Sequence, residues 1–299
     1  MSQQKSECTY SSCGEEPLKS SRGRYCIYHA KAAKEGMMIQ FDTSDHDWLE
    51  KRGPKMKLIG GIDDATKDVP RAKFAYQDSV EENMATSKEI IKRKGIPLSL
   101  YVDKDSKFIT TRHGGLHVRI KKDQEKTRMQ RAWEELGINV IYAESPQGKG
   151  RIERLWGTFQ DRLISELRLE GISTLEEANE YLHSVFLPKY NKKFNRKPKV
   201  EEVAYRPIPK GMDLDQILCI KEERRVQGDN TISYKGRRYQ ILPTETRFGF
   251  AKAKVEVQKH LDGTIHIFYK REELPFKSIV PVEDERYVPS QMEALAVEV

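Results

Sequence analysis

Between residues 37 and 167 the apolar residues change spacing in a set order, and that order leaves few folds open. Three extended stretches come first: Met37–Phe41, Met56–Ile62 and the alternating Val69–Tyr76. From Ser79 the spacing turns helical. Val80, Met84, Ile90 and Ile91 recur at roughly 3.6-residue spacing, and Gly95-Ile96-Pro97 is the stop. Extended and helical stretches then alternate: Leu98–Val102, a helix over 125–136, Asn139–Tyr142, and a long helix from near Gly150. Ile152, Leu155, Trp156, Phe159, Leu163 and Leu167 give that last helix one apolar stripe. Three consecutive strands favour an antiparallel meander, and strands reached through helices favour crossovers. The expected fold is α/β, a mixed sheet with flanking helices. A further helix is predicted over 174–193, with Ser173 and Glu176 in capping-box spacing.

Acids close several of these stretches. Asp42 ends the first apolar run and Asp103 the fourth, in Tyr-Val-Asp-Lys-Asp-Ser-Lys-Phe. Glu153 falls in the first turn of the long helix, after Ser-Pro-Gln-Gly-Lys-Gly-Arg-Ile. In a meander followed by crossovers, strands one and four are central neighbours. Asp42 and Asp103 are then expected at one edge of the sheet, with the helix start bringing Glu153 over them. Carboxylate oxygens suit Mg²⁺, which keeps waters and leaves positions for phosphate oxygens. Two such ions about 3.5–4 Å apart can serve an in-line phosphoryl displacement. Asp63 and Asp64 also end a strand and are expected to shape the turn into the third. Asp105 is expected to form a turn.

Three blocks resemble the catalytic blocks of DDE transposases and retroviral integrases: Ile39-Gln-Phe-Asp42-Thr-Ser, Tyr101-Val-Asp103-Lys-Asp-Ser-Lys-Phe108 and Ser145-Pro-Gln-Gly-Lys-Gly-Arg-Ile-Glu153. Finer features are similar to the ISNCY-type insertion-sequence transposases. These are the stretch from His46 to Pro54, Ile62-Asp-Asp-Ala-Thr-Lys67, Glu-Ala-Asn-Glu-Tyr-Leu at 177–182, the basic stretch at 189–198, and Tyr234-Lys-Gly-Arg-Arg-Tyr239. The resemblance covers roughly residues 37–280 and implies an RNase H-like core over 36–195. It also implies Asp42, Asp103 and Glu153 holding two Mg²⁺ or Mn²⁺, cleavage at transposon ends, and strand transfer into target DNA by a homo-oligomer. A catalytically idle DNA-binding remnant of such an element is the alternative, and a structure-selective nuclease on the same core is a third reading.

The remainder is read as a Pro-punctuated linker with a short helix over 196–224, a small β-barrel of about five strands over 225–285 and a tail over 286–299. Lys235-Gly236 and Asp262-Gly263 mark hairpin turns. In the first 35 residues, Cys8, Cys13, Cys26 and His29 offer four ligands within 22 residues, a spacing that suits a structural Zn²⁺. The resembled family carries a helix-turn-helix ahead of its core. Here either the zinc-knuckle-like segment replaces it, or the chain is a truncated or split copy.

The net charge of +7 is compatible with a nucleic-acid partner. The run 189–199 holds six basic residues and no acid, with Tyr190 and Phe194 interleaved. Lys192, Lys193, Arg196 and Lys197 are expected on DNA phosphates; a solvated helix end is the other reading. Lys149 and Arg151, just ahead of Glu153, either meet DNA phosphates or are solvated. No apolar run approaches the ~20 residues of a membrane span, and no secretory signal is visible. A bacterial cytoplasmic, nucleoid-associated protein is expected.

Overall fold

The computed structural model describes residues 32–110, 126–143 and 150–279. Contacts divide the chain into two units, the first ending at Leu218 and the second starting at Cys219.

In the first unit, β1 (Ile39–His46), β2 (Met56–Asp63) and β3 (Arg71–Ala75) form the expected antiparallel meander. Helix α1 (Val80–Lys94) crosses to β4 (Ser99–Val102), which lies parallel to β1. Helix α2 (Arg128–Glu135) precedes β5 (Asn139–Tyr142), parallel to β4. The strand order is β3-β2-β1-β4-β5, so β1 and β4 are central neighbours.

Local chemistry sets the ends of these helices. Ser79 caps α1 by accepting the Glu82 amide, and Gly95 ends it at φ +101°. A Cβ at Gly95 would meet the Arg206 carbonyl at 2.7 Å, so the position needs glycine on two counts. Thr127 and Gln130 form a capping box on α2.

Helix α3 (Gly150–Leu169) buries Ile152, Leu155, Trp156, Phe159, Leu163 and Leu167. That stripe packs with Met56, Leu58, Ile62, Ala72 and Phe74 of the meander. The predicted helix over 174–193 begins one residue later than its box suggested. Thr174 is the cap and Glu177 reaches back to its amide at 3.2 Å, because Glu177, not Glu176, sits three residues on. The helix runs as α4 (Leu175–Tyr181), a π turn over Leu182–Phe186 and α5 (Leu187–Phe194). The widening lies just ahead of Pro188, which has no N–H and whose ring crowds the carbonyl four residues back.

Residues 196–218 are not a free linker. The amides of Arg196, Val200 and Ala204 donate to Thr66, Ala33 and Glu35 at 2.7–3.0 Å. Arg206 pairs reciprocally with Ile96, and its guanidinium donates to the carbonyls of Leu136 and Gly137, both at 2.9 Å. A short helix, α6 (Leu214–Ile217), closes this unit. The unit boundary therefore falls at 218/219 rather than 224/225.

The second unit holds β6 (Ile220–Arg225), β7 (Thr231–Tyr234), β8 (Arg237–Ile241), β9 (Lys254–Lys259), β10 (Ile265–Tyr269), β11 (Glu272–Glu273) and β12 (Phe276–Ile279). They form two sheets, β11-β10-β9-β6 and β12-β8-β7, that share one core including Val226, Ile232, Tyr239, Val257 and Ile267. Where the sequence suggests a small β-barrel, the described residues hold seven strands in two small sheets. The β7–β8 turn has positive φ at both Lys235 and Gly236, the twist a two-residue hairpin wants. Among the described residues no helix is long and apolar enough to cross a membrane.

Candidate active site

Asp42 is not at a strand end. β1 continues four residues past it because the ladder to β2 runs on to His46 opposite Met56. Asp42 itself sits opposite Gly60. On its other side β1 pairs with β4 in the register Ile39 with Leu100 and Gln40 with Tyr101. The paired register stops at Gln40 and Tyr101; continued two residues, it would bring Asp42 level with Asp103, the first residue past β4. Residues level on parallel strands face the same way, and neighbouring strands lie about 4.8 Å apart. Both acids are partly exposed.

The turn after Asp103 is built to hold it. Asp103 accepts the Asp105 amide at 3.1 Å, and Asp105 accepts the Lys107 amide at 2.9 Å. Lys107 pairs with Asp78. Hydrogen bonding by Lys107 holds the Asp105 carboxyl below its usual range against the opposing effect of burial. Phe108 then plunges into the core, stacked on Trp133 and edge-on to Phe41, with its carbonyl accepting the Tyr142 hydroxyl at 2.8 Å.

Helix α3 comes to this face of the sheet. The Trp156 indole donates to the Asp42 carboxylate at 3.2 Å. Glu153 lies one turn nearer the helix start on the same side, since residues three apart are neighbours on a helix, and it is exposed. The structure thus sets Asp42 on β1, Asp103 just past the neighbouring β4, and α3 against Asp42 through Trp156. Among the described residues no three His, Cys, Asp or Glu side chains stand close enough together to hold a metal ion.

Asp63 and Asp64 are buried structural acids. Asp63 accepts the amides of Gly36, Ala65 and Thr66 and the Thr66 hydroxyl, all at 2.7–3.0 Å. Burial nonetheless pushes its carboxyl above the usual range. Asp63→Asn turns an NH₂ toward these donors. It is expected to destabilise the chain by about 1–3 kcal/mol in denaturant unfolding; an unchanged midpoint would contradict this account of the turn.

Arg151 departs from both sequence readings. Its guanidinium forms an ion pair with the buried Asp64 carboxylate and donates to the Asp64 carbonyl at 2.9 Å. Its side chain is 16% exposed and its charge faces Asp64, whose side chain is 1% exposed and gains a counter-ion there.

The basic run divides by face. Lys192, Lys193, Arg196 and Lys197 are exposed. Tyr190 is buried and Phe194 half-buried. Tyr190 packs edge-on to Phe159 at 5.0 Å, and Phe194 lies against Tyr190 at 4.8 Å. Cys8, Cys13, Cys26, His29 and Lys149 lie outside the described residues. The sequence places Asp63 and Asp64 in the turn into the third strand but does not announce Gln40 or the pairing of Asp64 with Arg151. The one available signal was a lone polar residue inside the apolar run Met37–Phe41.

No protein-family model matches the chain. It is 33% identical over 261 residues to the putative transposase y4bF of Sinorhizobium fredii, covering 86% of this chain and 56% of that protein. It is also 33% identical over 235 residues to the transposase for insertion sequence IS1202 of Streptococcus pneumoniae, covering 78% of this chain and 48% of that one. The chain spans about half the length of the curated relatives it matches. Among solved structures it overlaps a chain of the simian T-cell lymphotropic virus intasome in complex with PP2A regulatory subunit B56 gamma. That overlap has a TM-score of 0.46 and 13% identity, over 89% of this chain and 84% of that chain.

Proposed function

We propose that this chain, related over most of its length to insertion-sequence transposases, is a DDE transposase. In this reading it cleaves DNA at transposon ends and joins them to target DNA. The observation that carries it is the placement of Asp42 on β1 and Asp103 just past β4, its parallel neighbour, with α3 docked onto Asp42 through Trp156. The strand order and crossovers of the first unit suit an RNase H-like fold.

The donors are carboxylate oxygens, half-buried at Asp42 and Asp103 and exposed at Glu153, whose chemistry suits Mg²⁺ or Mn²⁺, while as placed no three described acids stand close enough together to hold an ion. Such ions, when bound, polarise phosphate oxygens and lower the pKa of water. Asp42 and Asp103 would hold them from the sheet and Glu153 from the helix. The Trp156 indole would keep one Asp42 oxygen oriented. A homo-oligomer on DNA, and a Zn²⁺ held by Cys8, Cys13, Cys26 and His29, belong to the same reading and rest on the sequence alone.

The test is an assay with DNA carrying the ends of the chain's own element, a target duplex and Mg²⁺. Nicking at the end followed by covalent joining to target is expected. Cutting without joining would instead make the chain a nuclease. Binding without either would make it a catalytically idle DNA-binding protein.

Lys192, Lys193, Arg196 and Lys197 form the proposed phosphate contact. Replacing all four with Gln is expected to weaken binding to every sequence alike. It should also flatten the plot of log K against log salt by about 0.9 per lost phosphate contact on duplex DNA. An unchanged slope would assign these side chains to a solvated surface.

A further inference from the structure

We propose that Gln40, oriented by Asp64, is a positioning residue that fixes the first turn of α3 and with it Glu153. This rests on the reading of Glu153 as a site acid.

Gln40 is 4% exposed and lies on β1 two residues before Asp42, on the same face of the strand. Its Nε2 donates to the Asp64 carboxylate at 3.0 Å, and its Oε1 accepts the Ile152 amide at 3.1 Å. The chemistry permits one orientation only. Ionised Asp64 can accept but not donate, so the NH₂ of Gln40 must face it and the carbonyl oxygen is left for Ile152. The Ile152 amide is one of the first amides of α3, which have no partner within the helix. A cap normally comes from the residue just ahead of a helix. Here it comes from a strand 112 residues earlier.

The same Asp64 carboxylate also takes the Ala32 amide at 2.8 Å and the Arg151 guanidinium. Four segments therefore meet at it: the chain at Ala32, strand β1, the turn after β2, and α3. With the Trp156 indole on Asp42, α3 is tied to β1 on both sides of Glu153, by Ile152 before it and Trp156 after it. One strand thus carries a site acid and the clamp that locates another.

The experiment uses the full chain carrying Gln40→Leu, which keeps the bulk and removes both hydrogen bonds. Amide hydrogen exchange in peptides covering 150–156 is expected to quicken about tenfold, the effect of one lost hydrogen bond. Peptides of α1 should exchange as before. Joining of a pre-cut end should slow about 100-fold in kcat, the scale of a small misplacement of a reacting group. KM for DNA should stay unchanged. Gln40→Asn keeps the amide but is one methylene too short to span both partners. It is expected to give the same local pattern, and it decides the matter if Gln40→Leu unfolds the chain. Unchanged exchange at 150–156, or faster exchange with joining intact, would overturn the inference. If instead Asp42→Asn joined DNA normally, the functional reading would fail while the exchange result stood on its own.

Discussion

Replacing Arg151 with Met is expected to destabilise the first unit by about 3–5 kcal/mol, the cost of stranding a buried charge. The Asp64 side chain is 1% exposed and that of Arg151 16%. The other groups on the Asp64 carboxylate, the Ala32 amide and the Gln40 amide, are neutral. Without the guanidinium, the carboxylate must stay ionised in a poor medium or take up a proton. The double variant Asp64→Asn/Arg151→Met removes both charges and should recover a large part of the loss. A double-mutant cycle in denaturant unfolding reads that coupling. DNA binding measured across a salt series should keep its slope in Arg151→Met where the protein is folded. An unchanged unfolding midpoint together with a flatter salt dependence would return Arg151 to DNA and contradict the pairing.

Arg151 shows where the sequence stops being informative. Its position before Glu153 is visible in the sequence, but its partner lies 87 residues away and nothing local announces it. Gln40 was hidden for the same reason. Tyr190 and Phe194 looked interleaved with cations, yet their four-residue spacing puts both on one helical face, and that face meets Phe159 and Phe186. The extent of β1 was also illegible. Its apolar run stops at Phe41, while pairing with β2 carries the strand through Asp42, Thr43 and Ser44.

What could be read directly was set by local or periodic signals. The stripe of α3 and the Ser79 and Gly95 ends of α1 are such signals. The meander followed by crossovers also followed from the order of the apolar periods, and it is what makes β1 and β4 neighbours. The neighbouring of β1 and β4 could therefore be anticipated from topology, whereas the exposed placement of Glu153 one turn from Trp156 needed the helix docked.

The central claim is that Asp42, Asp103 and Glu153 act as one unit. Asp42→Asn, Asp103→Asn and Glu153→Gln each keep the shape and remove one negative charge. Each is expected to slow both cleavage and joining by about 10⁴-fold, and a double variant should be hardly slower than a single one, because members of one unit are non-additive. DNA affinity should largely survive, since phosphate contacts elsewhere carry it. The most direct measurement supplies a pre-cut end with Mg²⁺ and follows its covalent joining to target DNA, which isolates one chemical step. The account predicts joining by the unaltered chain and none detectable from Asp42→Asn, Asp103→Asn or Glu153→Gln at equal DNA occupancy. Joining at the unaltered rate by any one of the three would contradict it.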